Sequence, residues 1–256
     1  KAAFQFGWDW APRQLAGEIS FPVYLTFEDK KEYLRFASVQ TEAISEEVAN
    51  MLLTVKTEFI KSEKYNLKLA YSTSDNETTT LDLGDLSLEN LKDNLSLFKF
   101  NVENPQLWFP NGYGNPTLYE ATIYLYNKES ICLDSVKTRF GIRTIELSQK
   151  KDKYGSEFCF IVNGKPIFAK GANLVPSAMH KERYEGMAKH IDLVKECNMN
   201  MLRVWGGGYY VDEQMYEACD EKGILIWQDF PFACALYPAT KDYLAEVEAE
   251  AHQNVL

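Results

Sequence analysis

The middle of the chain alternates apolar and polar positions. Residues 50–59 (NMLLTVKTEF), 65–73 (YNLKLAYST), 95–103 (LSLFKFNVE), 117–127 (TLYEATIYLYN) and 134–147 (DSVKTRFGIRTIEL) add β-branched and aromatic side chains to that alternation, and each is predicted as a strand. Polar or glycine-containing links at 74–80, 84–94, 110–116 and 127–130 separate them. Several short strands at such spacing predict a sandwich. Near Lys151 the period changes. Residues 158–176 predict a small hairpin through Asn163-Gly164 and then a strand. From Glu182 to Asn198 the apolar positions Met187, Ile191, Val194 and Cys197 fall three to four apart, the spacing of one helix face. Residues 199–206 (MNMLRVWG) are a buried-type strand, Asp212 to Lys222 a helix closed by Gly223, residues 223–230 (GILIWQDF) another strand, and Tyr243 to Leu256 a further helix. Strands alternating with helices predict a parallel α/β unit. Ahead of the sandwich, residues 4–13 (FQFGWDWAPR) read as a loop rich in rings, and 17–29 as a strand.

Composition narrows the partners. The 256 residues carry a net charge of -10, which argues against a nucleic-acid-binding face, since that needs clustered Lys and Arg. No apolar run is long enough to span a membrane. The aromatic share of 14% suits either rings against pyranose faces or an aromatic-rich sandwich core. Cys132, Cys159, Cys197, Cys219 and Cys234 fit no zinc spacing and no redox pair, so they are read as buried structural thiols. Asn76-Glu77-Thr78 and Asn94-Leu95-Ser96 match the glycosylation sequon, which matters only in a eukaryotic secretory protein. No signal peptide is visible, and Lys1 does not read as a natural start.

The stretch with most chemistry is 198–238. Arg203 and Trp205 follow one predicted strand and Asp229 follows the next, where a β/α-barrel keeps its substrate groups. Gly206-Gly207-Gly208 permit close backbone approach but lack the Lys-Ser/Thr partner and the spacing of a phosphate loop. His180, His190 and His252 are scattered, which gives a His-based triad or metal site no support. Cys234 has no histidine nearby in sequence, and Glu246, Glu248 and Glu250 are read as helix surface.

Four motifs in series resemble the family-2 glycoside hydrolases, and within them the β-mannosidase branch. They are FGWDWAPR at Phe6–Arg13, NPQLWFPNGYGNPTLY at Asn104–Tyr119, FGIRTIEL at Phe140–Leu147, and NMNMLRVWGGG with GILIWQDFPFACALYP at 198–238. The resemblance covers almost the whole chain. It implies a multidomain β plus α/β protein. Residues 1–30 would end a jelly-roll sugar-binding domain and 32–147 would form an immunoglobulin-like β-sandwich. Residues 148–256 would open a catalytic TIM (β/α)8 barrel, with three of its eight strands. It also implies retaining hydrolysis of terminal β-mannosides, an oligosaccharide substrate, no cofactor, no metal, and a place outside the cytoplasm such as a periplasm or lysosome. Both catalytic glutamates are expected beyond Leu256, so the chain is expected to be an inactive internal fragment whose open barrel edge favours self-association.

What the resemblance leaves here is half of a sugar site. It implies that Asp9 accepts hydrogen bonds from hydroxyls of the terminal mannose and that Trp205 forms a wall beside that sugar. Arg203 and Asp229 could pair with each other, orient the catalytic carboxylates or touch sugar hydroxyls, and Asn173 is a candidate of the same kind. Trp8, Trp10 and Trp227 are read as packing. Ala11 replaces the glycine of the GWDWGPR pattern, Leu174 stands where an aromatic is common, and 177–183 are shorter than the family's loop. Two alternatives stay open: another family-2 exo-glycosidase, a β-glucosaminidase or β-galactosidase, and a non-catalytic carbohydrate-binding or scaffold protein.

Overall fold

A computed structural model describes residues 2–15, 17, 23, 25, 32–58, 64–73, 77–86, 95–176 and 187–255. Most of the strand expected at 17–29, the sequon residues Asn76 and Asn94, the loop at 177–183 and the start of the helix expected from Glu182 lie outside the described residues. The chain divides into two compact units. One gathers Lys1–Tyr24, Pro110–Gly114 and Ala169–Leu256; the other gathers Leu25–Phe109 and Asn115–Phe168.

The second of these units is all β. Strands β1 (Tyr33–Ile44), β2 (Val48–Glu58), β3 (Tyr65–Ser72), β4 (Thr79–Leu86), β5 (Leu95–Glu103), β6 (Tyr119–Tyr126) and β7 (Cys132–Phe140) form two antiparallel sheets, ordered β1-β2-β5 and β4-β3-β6-β7. Alternation builds the core. Tyr65, Leu67, Leu69 and Tyr71 of β3 are buried while the residues between them are half-buried, and Ala121, Ile123 and Leu125 of β6 do the same. Met51, Leu53 and Val55 of β2 join them in one cluster.

Two of these strands escape the sequence reading. In β1 the register shifts between Leu34 and Phe36 and again between Thr41 and Ala43, and each bulge resets the phase of the alternation. The end-of-sheet strand β4 is polar and interrupted by Gly84 at φ 90, so it reads as a link. The single strand expected over 134–147 is two. After Phe140 the chain turns at Gly141, where a Cβ would meet the Trp108 side chain at 3.0 Å, and β8 (Ile145–Ser148) pairs elsewhere. Its partner is β9 (Cys159–Val162), which in turn pairs β10 (Lys165–Ile167). The β9–β10 turn has Asn163 at φ 49 and Gly164 at φ 74, the left-handed pair that a tight hairpin requires. Asn163 also holds this sheet in place, accepting from Thr144 N–H at 2.9 Å and donating to the Trp108 carbonyl at 2.9 Å.

In the other unit, β11 (Gly171–Leu174), β12 (Met201–Val204) and β13 (Leu225–Gln228) are parallel and in register. Helices α1 (Met187–Glu196) and α2 (Glu213–Lys222) connect them, and α3 (Lys241–Val255) follows. Leu202, Val204, Ile191, Met215 and Cys219 form this unit's core, so one face of the sheet is covered by helix. The signals at the ends of α2 act as expected: the Asp212 carboxylate accepts from Met215 N–H at 2.9 Å, and Gly223 takes φ 74. Asn200 is fully buried between strands, with its amide oxygen accepting from Lys170 N–H at 2.9 Å.

Two expectations are corrected. Cys197 is not on the apolar face of α1; the helix ends at Glu196, and Cys197 is exposed just before Asn198 turns left-handed at φ 57. The cysteines are not a set of buried thiols either. Cys219 is buried and Cys159 half-buried, whereas Cys132 at a strand end, Cys197 past a helix and Cys234 in a loop are exposed.

Candidate functional site

Strand parity decides what each side chain of the parallel sheet does. Leu202 and Val204 point into the helix-covered core. Asn173, Arg203 and Trp227 stand side by side on the opposite face, one from each strand in exact register. Trp227 is 41% exposed, so it presents a ring on this face rather than packing into a core.

At the C-terminal end of this face a polar network links all three strands. The Arg203 guanidinium grips Asp229 in a fork, Nε to Oδ1 at 3.2 Å and Nη2 to Oδ2 at 2.5 Å. Its Nη1 donates to Asn173 Oδ1 at 3.1 Å. A guanidinium can only donate, so the oxygen of Asn173 must face it and the NH₂ end is turned away from it. The Gly206 N–H donates to Asp229 Oδ2 at 3.1 Å. The pair is partly open to water, with Asp229 the more covered partner. Behind it, Tyr216 donates to Gln228 Oε1 at 2.7 Å, and Gln228 Nε2 donates to the Asp229 carbonyl at 2.8 Å. Burial pushes the Tyr216 phenol up to about 12, so it remains a donor across the neutral range.

Trp205 stands directly after β12. Its N–H donates to the Leu174 carbonyl at 3.1 Å, and its carbonyl accepts from Gly208 N–H at 3.1 Å. The three glycines that follow are set by steric contact. A Cβ on Gly207 would fall within the Trp205 ring, one on Gly206 would meet the Phe230 carbonyl oxygen at 2.5 Å, and one on Gly208 would meet Pro176 at 2.9 Å.

The ring-rich segment at the start of the chain docks onto this turn. Residues Ala3–Phe6 form one 3₁₀ turn, and the Phe4 N–H donates to the Gly207 carbonyl at 3.1 Å. A tight turn closed by Trp8 and Ala11 then puts Asp9 at an exposed tip. Trp8 meets Trp205 edge to face at 4.9 Å, Trp10 lies 6.2 Å from it, and Phe4 stacks on Trp10 at 5.4 Å. Asp9 and Trp205, separated by almost the whole chain, thus stand on contacting segments of one unit. The Asp229–Gly206 bond and the Trp8–Trp205 contact were missed in the sequence. The run of glycines after a strand was their one local signal, because it marks where backbone must be approached closely.

Among the described residues, no group of three or more His, Cys, Asp or Glu side chains is placed to hold a metal ion. No helix among them is long and apolar enough to cross a membrane.

Residues 33–143 match the family described as Glycosyl hydrolases family 2. Those residues form a domain of that family. It is similar to Beta-mannosidase B of Aspergillus flavus, at 36% identity over 262 residues, and of Aspergillus fumigatus, at 37% over 261 residues. Each alignment covers 100% of this chain and 30% of the relative. The crystal structure of Beta-D-Mannosidase from Dictyoglomus thermophilum matches with a TM-score of 0.79 at 34% identity, over 98% of this chain and 31% of that one. A beta-glucuronidase from Bacteroides uniformis, at 22% identity and a TM-score of 0.61, over 83% of this chain and 26% of that one, shares the fold. The chain therefore spans about a third of the length of these relatives.

Proposed function

We propose that this chain supplies the sugar-holding half of an exo-acting, retaining β-mannosidase. The observation that carries the reading is the docking of the Asp9 turn against Trp205, with Trp8 in edge contact at 4.9 Å. That arrangement sets an exposed carboxylate near an indole at the end of a parallel strand. A carboxylate can accept from two sugar hydroxyls at once, and an indole face suits the C–H face of a pyranose. The names of the relatives, beta-mannosidase at 34–37% identity, point to mannose as that sugar. Within this reading Asp9 holds hydroxyls of the terminal mannose, Trp205 forms the wall, and Asn173 offers its NH₂ group to a sugar oxygen. Residues 1–30 close a jelly-roll domain, 32–147 are the immunoglobulin-like sandwich, and 148–256 open a (β/α)8 barrel.

Retaining chemistry needs two carboxyl groups about 5 Å apart, one to attack the anomeric carbon and one to protonate the leaving oxygen. At this site Asp229 is committed to Arg203, and Asp9 lies on a separate segment. In this reading the catalytic pair comes from residues outside these 256, in a protein that works outside the cytoplasm. The 256-residue chain does not hydrolyse β-mannosides in this reading. A chain extended through the remaining barrel should hydrolyse nitrophenyl β-mannoside in preference to the β-glucoside, β-galactoside and β-glucosaminide. Asp9→Ala should abolish that preference. Turnover by the 256 residues alone, or an extended chain that favours another sugar, overturns the proposal.

A further inference from the structure

We propose that Asp229 is a positioning residue that sets the plane of the Trp205 ring through the Gly206 amide. The inference rests on the sugar-wall role of Trp205 given above, and it concerns how that wall is held. Asp229 Oδ1 is taken by Arg203 Nε, and Oδ2 by both Arg203 Nη2 and the Gly206 N–H. These three donors take most of the carboxylate's acceptor sites, about four in number, and both bonds to Oδ2 are internal.

The turn it holds has little freedom elsewhere. Trp205 is anchored to Leu174 on one side, the turn closes on itself through Gly208, and Phe4 holds the Gly207 carbonyl. The indole lies over Gly207 so closely that no Cβ fits. A change in the Gly206 peptide therefore reaches the ring of the residue before it. Arg203 fixes Asp229, Asp229 fixes the Gly206 N–H, and that peptide orients Trp205 against Trp8. The hydrogen bond from a backbone N–H to a paired carboxylate is a charge-assisted one. Removing it should weaken sugar binding on the order of tenfold.

The test reads the ring pair directly. Trp8 and Trp205 at 4.9 Å and an interplanar angle of 69° should give an exciton couplet at the intense far-ultraviolet indole band in the circular dichroism of the 256-residue chain. Trp205→Phe and Trp8→Phe, each abolishing it, assign that signal to this pair rather than to Trp10 and Trp205. Asp229→Asn should alter it to a comparable degree, with the amide infrared bands unchanged. An amide at this position places its NH₂ group against the guanidinium in either orientation, and in one of them against the Gly206 N–H as well. If Asp229→Asn does not fold, Gly206→Ala is read in its place. Its Cβ would meet the Phe230 carbonyl oxygen at 2.5 Å and Asp229 Cβ at 3.0 Å, which forces the Gly206 peptide away from Asp229. A role in stability alone would lower the melting temperature and leave the native couplet intact. An unchanged couplet in the folded variant overturns the proposal, whether or not sugar binds. Titration with methyl β-mannoside separates this inference from the function it rests on. An altered couplet upholds the positioning role even if the sugar binds neither variant nor parent, a result that sinks the mannosidase reading instead.

Discussion

The sandwich and the parallel sheet use strand alternation for opposite ends. In β3 and β6 one parity is buried in a closed apolar core and the other parity is half-open, so a substitution on the inner face is a packing event. In β12 the same parity rule divides Leu202 and Val204, which pack on helices, from Arg203, which joins Asn173 and Asp229 in a polar network. Within four residues, apolar packing and a polar network are carried by alternate positions. A sheet face that keeps a guanidinium, an amide and an indole in register gives up apolar burial that the sandwich does not. That sacrifice, more than any single residue, makes the parallel sheet the candidate site.

The largest effect should come from the closed core. Ile123 is fully buried, and Ile123→Ala should cost about 2–5 kcal/mol in denaturant unfolding. The Trp8–Trp205 couplet of the other unit should persist in the folded variant. If the couplet and the sandwich signal vanish together at every denaturant concentration, in parent and variant alike, the two units unfold as one and the contrast in stability between them fails.

The polar face should respond differently. Arg203→Met leaves the Asp229 carboxylate without its fork, at a cost of about 1–3 kcal/mol for a partly covered acceptor. Adding Asp229→Leu should recover part of that loss, because an apolar pair has no unsatisfied charge. Additive losses in the double variant would mean that the two side chains do not act as a pair.

Legibility in the sequence follows the same division. The inner-face alternation of β3 and β6 was readable because an uninterrupted two-residue period needs no partner to interpret it, and β2 and β5 were readable from their β-branched and aromatic content. Strand β1 was hidden because its bulges reset that period, and β4 because a polar end-of-sheet strand resembles a link. The α/β order was readable from Asp212, Gly223 and the helix spacing, all local signals. The candidate residues Asp9, Asn173, Arg203, Trp205 and Asp229 could be named from motifs, but their arrangement could not. Arg203 meets Asp229 across 26 positions, and Trp8 meets Trp205 from the far end of the chain. Contacts at such separation leave no local periodicity. Exposure of Cys132, Cys197 and Cys234 was illegible for a related reason: cysteine is usually buried, and only the strand, helix and loop ends show which ones are not.

Alkaline pH should test the helix-covered core selectively. Burial pushes the Cys219 thiol up to about 12 from an ordinary 9.0, and the Tyr216 phenol up to about 12 from 10.0. Both groups are neutral in the fold and ionise more easily in the unfolded chain. Their contribution to stability is therefore complete below the unfolded values and is lost as pH rises through 9.0–10.0 towards about 12. The melting temperature of this unit should fall by a few degrees over that window. Cys219→Ser should lessen the slope. At pH 8, iodoacetamide should modify Cys132, Cys197 and Cys234 in the native chain and spare Cys219. Rapid labelling of Cys219 would show that the core beneath the site is looser than the sandwich.

The smallest effect expected is at the start of α2. Asp212 accepts from Met215 N–H at 2.9 Å, and Met215 is itself buried in the cluster beneath β12. Asp212→Ala removes that cap and should cost about 1 kcal/mol. Asp212→Asn, which caps as well, should cost a few tenths at most, because it loses only the favourable charge at the helix N-terminus. Amide exchange should localise the loss to α2 and β12 and leave β3 and β6 protected. If β3 and β6 exchange faster as well, the helix-covered face is coupled to the sandwich, and the site cannot be altered without a cost to the larger core.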